Sequence, residues 1–199
     1  MTSTVSQKLL LVNPPFTQLN TPYPATAYLK GYLNTKHIRC DQFDLGLETI
    51  LKIFSSQGLA EIFETTKHSI SDASENAKRI YALKDIYLQT IDSVIAFLQD
   101  RDSSLAYFIS GRNFLPEASK FDQLDDLEFA FGTMGVRDKA RHLATLYLED
   151  LSDFIVELSD PHFGFSRYAE RLALSAQTFD HLYAELAKAN NTISTIIIR

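Results

Sequence analysis

Leu9, Leu10, Leu11 and Val12 form an unbroken apolar run that stops at Asn13-Pro14-Pro15. Two consecutive prolines offer no backbone N–H, so a hydrogen-bonded ladder cannot continue through them and the run has to end there. A short continuous apolar run, rather than an alternating one, suits a strand buried on both faces, as in a parallel sheet. The residues before it, 1–8, are polar and unpatterned and read as a frayed start.

A polar loop spans 16–20, after which Thr21 is placed to cap a helix with Pro22 at its first position, where a missing N–H costs nothing. Ala25, Tyr28, Leu29, Tyr32 and Leu33 then recur at helical spacing and define the face expected to pack. The helix should fade over 34–37, and 38–45, which holds Cys40 and Phe43, reads as a second strand ending in Asp44-Leu45-Gly46. Residues 9–46 thus make a βαβ unit, whose right-handed crossover sets its strands parallel.

From Leu47 onward helices dominate. Leu47, Ile50, Leu51 and Phe54 give a short amphipathic helix, and Leu59, Ile62 and Phe63 suggest the next. A long helix is expected over 73–99, with Ile80, Leu83, Ile86, Tyr87, Ile91, Ile95 and Leu98 on one stripe. Leu105 to Ile109 fits either a short strand or a helical turn. Further helices are expected over 117–131, 136–158, 166–174 and 178–189, and the β-branched stretch 192–198 reads as a closing strand. The fold class is therefore α/β and helix-rich, with a small parallel Rossmann-like sheet of two or three strands and a large helical portion over 47–190. At 199 residues the length suits a single domain.

A content of 45% hydrophobic and 12% aromatic residues supplies a core that a disordered chain would lack. The net charge of -6 argues against nucleic acid, since neutralising phosphates takes clustered Lys and Arg. The longest apolar runs are far too short to span a bilayer, and no apolar signal region opens the chain. A single cysteine, Cys40, forms no internal disulfide, which fits a reducing compartment, and a cytoplasmic location is expected.

The segment from Leu10 through Pro15, with Tyr23-Pro24-Ala25-Thr26-Ala27-Tyr28-Leu29-Lys30-Gly31-Tyr32-Leu33 after it, resembles the opening of cobalamin-binding radical S-adenosylmethionine proteins. Those begin with a strand, an Asn-Pro-Pro turn and a Tyr-Leu helix. Phe163 to Leu172 is similar to a later segment in one branch of the same family. The resemblance implies an N-terminal module that holds cobalamin, followed by a barrel that binds an iron–sulfur cluster and S-adenosylmethionine. Such a cluster needs three closely spaced thiolates, and Cys40 stands alone, so the radical chemistry would belong to the remainder of a parent polypeptide. In that reading the chain is a non-catalytic front part of a longer enzyme.

Ligands of open α/β sheets bind beyond the carboxyl ends of the strands, which puts the expected cofactor contacts at Asn13, Pro14, Pro15, Thr17, Gln18, Asn20 and Thr21. The helix N-terminus after Thr21 suits an anion. Asp160-Pro161-His162-Phe163-Gly164 is one residue short of the Asp-x-His-x-x-Gly pattern in which a histidine ligates cobalt, and Asp-Pro favours a turn. The five histidines make no zinc-binding spacing, and the glycines form neither a dinucleotide nor a nucleoside-triphosphate loop. Ser110-Gly111-Arg112-Asn113 and the stretch from Gly132 to Arg137 fit an anion contact or a turn equally well, and the acidic run of Asp122, Asp125, Asp126 and Glu128 reads as a solvated helix face. A second functional class is a stand-alone helical module that binds a protein partner through its Tyr and Phe residues. An incomplete sheet would also leave a strand edge exposed and favour self-association.

Overall fold

A computed structural model describes residues 8–14, 24–122, 124, 135–161, 163–164, 193 and 195–196. The opening run is strand β1 (Leu9–Asn13), and the second expected strand is β2 (Cys40–Asp44). They pair in parallel, from Leu9 opposite Cys40 to Asn13 opposite Asp44, and helix α1 (Pro24–Thr35) makes the crossover. The chain is therefore helix-rich α/β with a two-stranded parallel sheet among the described residues.

Because side chains alternate along a strand, this register puts Leu9, Leu11, Asn13, Cys40, Gln42 and Asp44 on one face and Leu10, Val12, Asp41 and Phe43 on the other. Helix α1 covers the first face, where Gln42 Nε2 donates to the buried Thr26 Oγ1 at 2.8 Å. The second face is open: Leu10 is 58% exposed, and Val12 and Phe43 are exposed beside it. Burial of β1 on both faces, expected from its composition, does not hold: Leu9, Leu10 and Val12 are exposed, and among the described residues α1 covers one side.

The packed face of α1 also differs from the expected one. Of the expected residues, Ala25 and Leu33 are half-buried, whereas Tyr28, Leu29 and Tyr32 lie exposed; Thr26 is buried and Lys30 half-buried beside them. The Thr26–Gln42 hydrogen bond fixes a helix rotation that the apolar spacing did not indicate, and it directs both tyrosines to solvent.

The chain divides into two compact units, Met1–Ile50 with Ser166–Ala187 and Leu51–Phe165 with Lys188–Arg199. The first holds the βαβ unit; the second is helical. Helix α2 (Leu45–Ile53) crosses the boundary and is followed by α3 (Ser56–Thr66), α4 (Glu75–Ala82), α5 (Lys84–Leu98), α6 (Leu105–Ser110) and α7 (Val136–Leu158). Ser55 starts α3 by accepting the Gly58 N–H at 3.0 Å, and Ser74 starts α4 by accepting that of Ala77 at 3.1 Å. Ser74 is itself held by Glu157 of α7, which accepts both its N–H and its hydroxyl.

The helical core gathers Leu59, Ile62, Phe63, Ile80, Tyr87, Ile91, Phe97, Leu143, Tyr147, Phe154 and Ile155, all nearly inaccessible. Phe63 packs edge-on against Phe154, with ring centroids 5.1 Å apart. Each such side chain contributes about 1.5–3 kcal/mol by leaving water.

Several local expectations change. The stripe over 73–99 is divided at Leu83, whose N–H is shared between the Arg79 and Ile80 carbonyls at 3.2 and 3.1 Å; this tight turn resets the phase, so Ile86 ends exposed. Leu105 to Ser110 is helical, which closes the strand alternative. Of the helix expected over 117–131, Glu117 and Ala118 are not helical and Ser119–Phe121 is a single 3-10 turn. Within the expected closing strand, Ile193, Thr195 and Ile196 are helical, so their β-branched composition yields to the local context. The expected helices over 166–174 and 178–189 lie outside the described residues.

Candidate functional site at the carboxyl rim of the parallel strands

The final residues of β1 and β2, Asn13 and Asp44, are opposite one another in the register. Asn13 Nδ2 donates to Asp44 Oδ2 at 3.1 Å, while Asp44 Oδ1 accepts the Leu47 N–H at 3.0 Å and so ties the strand end to the first turn of α2. Both carboxylate oxygens are thereby engaged.

Asn13 is 2% exposed, and its Oδ1 has no hydrogen-bond partner among the described residues. A buried carbonyl oxygen left unpaired costs on the order of 1–3 kcal/mol. The rim therefore presents one buried acceptor that a bound N–H or O–H group would satisfy. A carboxylate held in a hydrogen-bonded pair beside it makes this strand end polar.

Of the residues expected to line a cofactor, Asn13 sits at this rim and Pro14 continues past it, exposed. Pro15, Thr17, Gln18, Asn20 and Thr21 lie outside the described residues, as does the helix start expected at Pro22. Asp44 was legible only as the end of a strand. Its role follows from pairing: with both strands ending at matched positions, their terminal polar residues meet.

The other motifs resolve into contacts within the chain. Arg112 makes a two-pronged pair with Glu117 at 2.8 and 2.6 Å, and Arg137 donates to Asp100 at 2.5 Å, so both guanidinium groups already hold a carboxylate. Arg141 joins the same Asp100 at 2.7 Å, and the two arginines hold its carboxyl below its usual range. Asp122 pairs with Arg79; Asp125, Asp126 and Glu128 lie outside the described residues. Asp160 follows α7 and its carbonyl accepts the Phe163 N–H at 3.0 Å, a turn; His162 lies outside the described residues. Among the described residues no group of three His, Cys, Asp or Glu is arranged to hold a metal ion.

Two features had no forewarning in the sequence. A cavity of about 180 Å³ is lined by Lys52, Ser55, Gln57, Gly58, Glu61 and Ile196, with both charge signs on its wall. Asp150, on α7, is wholly buried and accepts the Ala118 and Lys120 N–H groups at 3.2 and 3.0 Å, with the Ser119 hydroxyl 3.4 Å away. Burial pushes its carboxyl up to about 6 against those hydrogen bonds, which pull it down. Asp150 thus organises the 118–120 turn. No helix of the described residues is long and apolar enough to cross a membrane. Compared with protein-family models, with curated proteins and with solved structures, the chain matches none.

Proposed function

We propose that this chain is a non-catalytic binding module, the N-terminal scaffold and part of the cofactor pocket of a cobalamin-dependent radical S-adenosylmethionine enzyme. The observation that carries the reading is the unpaired, buried Oδ1 of Asn13 at the carboxyl rim of a parallel βαβ unit, the position where such sheets bind ligands. A corrin ring is fringed by carboxamides, whose N–H groups are the donors that this oxygen lacks. Asn13 would accept from the ring edge, Asp44 would hold the Asn13 amide in orientation, and Pro14, Pro15, Thr17, Gln18, Asn20 and Thr21 would complete the rim. The resemblance of the Asn-Pro-Pro opening supplies the choice of cobalamin over other amide-bearing ligands.

The iron–sulfur cluster and S-adenosylmethionine would be held by the remainder of the parent polypeptide, because thiolates bind such clusters and Cys40, buried at the start of β2, is the one cysteine here. A free buried thiol suits the reducing cytoplasm, where we place the protein. The test is equilibrium dialysis of the purified chain against hydroxocobalamin, read by the visible spectrum. The chain should retain the corrinoid, and Asn13→Ala should weaken retention by about tenfold, the worth of one good hydrogen bond. A wild-type chain that retains none, or an Asn13→Ala chain that binds equally well, would end the proposal.

A second reading is a helical module that binds a protein partner. It is favoured by Tyr107 and Phe108, adjacent on α6 and both more than 60% exposed. A partner-induced thermal shift that Tyr107→Ser with Phe108→Ser removes would support it.

A further inference from the structure

A side-chain amide is two-sided: one end donates, the other accepts, and the two have nearly the same shape. At the carboxyl rim of the strands that ambiguity is removed. Asp44 Oδ2 accepts from Asn13 Nδ2 at 3.1 Å, and Asp44 Oδ1 accepts the Leu47 N–H at 3.0 Å. The second bond is an N-cap on the start of α2, and it keeps the carboxylate from rotating away. A carboxylate only accepts, so turning the Asn13 amide over would set its oxygen against an Asp44 oxygen. The amide is therefore held with its nitrogen toward Asp44 and its oxygen away from it.

That orientation decides which kind of ligand the rim can take. Asn13 Oδ1 is buried with no partner among the described residues. Gln42, the other side-chain amide on the same face of the sheet, donates its Nε2 to Thr26 Oγ1 at 2.8 Å. The unsatisfied group at the rim is thus an acceptor with an aspartate behind it. A ligand N–H satisfies it. A ligand carboxylate would bring a third acceptor to the pair and a second negative charge close to Asp44, leaving buried oxygens facing one another.

We infer that Asp44 is a specificity-determining residue of this site: by fixing the Asn13 amide, it makes the rim accept a neutral carboxamide and reject the same side chain as a carboxylate. The inference rests on the reading above that the rim meets the edge of a corrin ring, and adds which form of that edge is taken. An amide and a carboxylate are almost equal in size, so shape alone cannot sort them; hydrogen-bond polarity and charge do. Asp44 acts through Asn13 and is in that sense a positioning residue.

Equilibrium dialysis of the whole chain against hydroxocobalamin, and against its separated monocarboxylic acids, tests this. In each acid one peripheral carboxamide is replaced by a carboxylate. The wild-type chain should bind hydroxocobalamin about tenfold or more tightly than at least one of the acids. Asp44→Asn and Asp44→Ser both keep a side chain that caps a helix, so helical circular dichroism should be retained. Either variant frees the Asn13 amide to turn, and the ratio of dissociation constants should fall to about threefold or less. Asp41→Asn, which removes an equal charge from the opposite face of the sheet, should leave the ratio as it is. If the wild-type chain retains hydroxocobalamin and binds every acid equally well, the inference is overturned and the cobalamin proposal stands. A ratio that survives both Asp44 variants overturns it too, as does one that Asp41→Asn also abolishes, since net charge would then do the sorting. A chain that retains no corrinoid overturns both.

Discussion

Tyr87 and Tyr147 stack with ring centroids 5.1 Å apart and 26° between their planes, and their two hydroxyl groups are treated unequally. Tyr147 donates to the Tyr87 backbone carbonyl at 3.3 Å and lies 3.1 Å from Thr90 Oγ1, whereas the Tyr87 hydroxyl is buried with no partner among the described residues. Burial raises both phenols above their ordinary range, so both remain neutral at physiological pH.

The inequality predicts opposite outcomes for one chemical change. Tyr87→Phe removes an unsatisfied buried oxygen and should leave stability unchanged or raise it by up to about 1 kcal/mol; Tyr147→Phe should lower it by about 1 kcal/mol. Urea denaturation of the two variants checks this, and equal losses in both would show that the Tyr87 hydroxyl is bonded in solution.

Asp150 should make stability depend on pH. Its folded value, about 6, lies above the ordinary aspartate value of 3.8, so the folded chain binds the proton more tightly than the unfolded one. The stability this provides is fully present below about pH 4 and lost as pH rises through about 6, a change on the order of 2–3 kcal/mol. Asp150→Asn cannot titrate. The stability difference between wild type and Asp150→Asn, measured by urea unfolding, should therefore move in favour of wild type as pH falls from neutral to about 4, and a flat difference would contradict the assignment.

Asp150→Ala is a separate case. It leaves the Ala118 and Lys120 N–H groups without their acceptor and opens a small void, and should cost about 2–4 kcal/mol at neutral pH. Hydrogen exchange should show the amides of Ala118 and Lys120 losing protection first; protection that persists would point to a replacement acceptor.

Gly58 permits the close approach of α3 to the end of α2. A Cβ there would come within 2.1 Å of the Lys52 carbonyl oxygen and 2.7 Å of that of Ile53, both backbone atoms that cannot swing away. Gly58→Ala should destabilise the helical unit by about 3 kcal/mol, at the upper end for overpacking. Gly31→Ala, a substitution into open space, is the internal control: thermal melts should fall for the first and not for the second.

Backbone chemistry acting between near neighbours was readable directly. The apolar run closed by Pro14-Pro15 located β1, and the length of the crossover made the sheet parallel. The helix expected over 136–158 is α7, with Gly135 as its N-cap. For the candidate site, Asn13 was legible because strand ends are where βαβ units present ligands, but its partner Asp44 was not, because pairing register joins residues 31 positions apart. Only the tertiary structure decided which side of α1 packs, with Thr26 meeting Gln42 across the fold. It likewise decided that Asp150, which in sequence looks like one more solvated acid on a helix, is buried against a distant turn. Local sequence sets what the backbone does over a few residues; which surfaces meet depends on the partner each one finds, and that is a property of the whole chain.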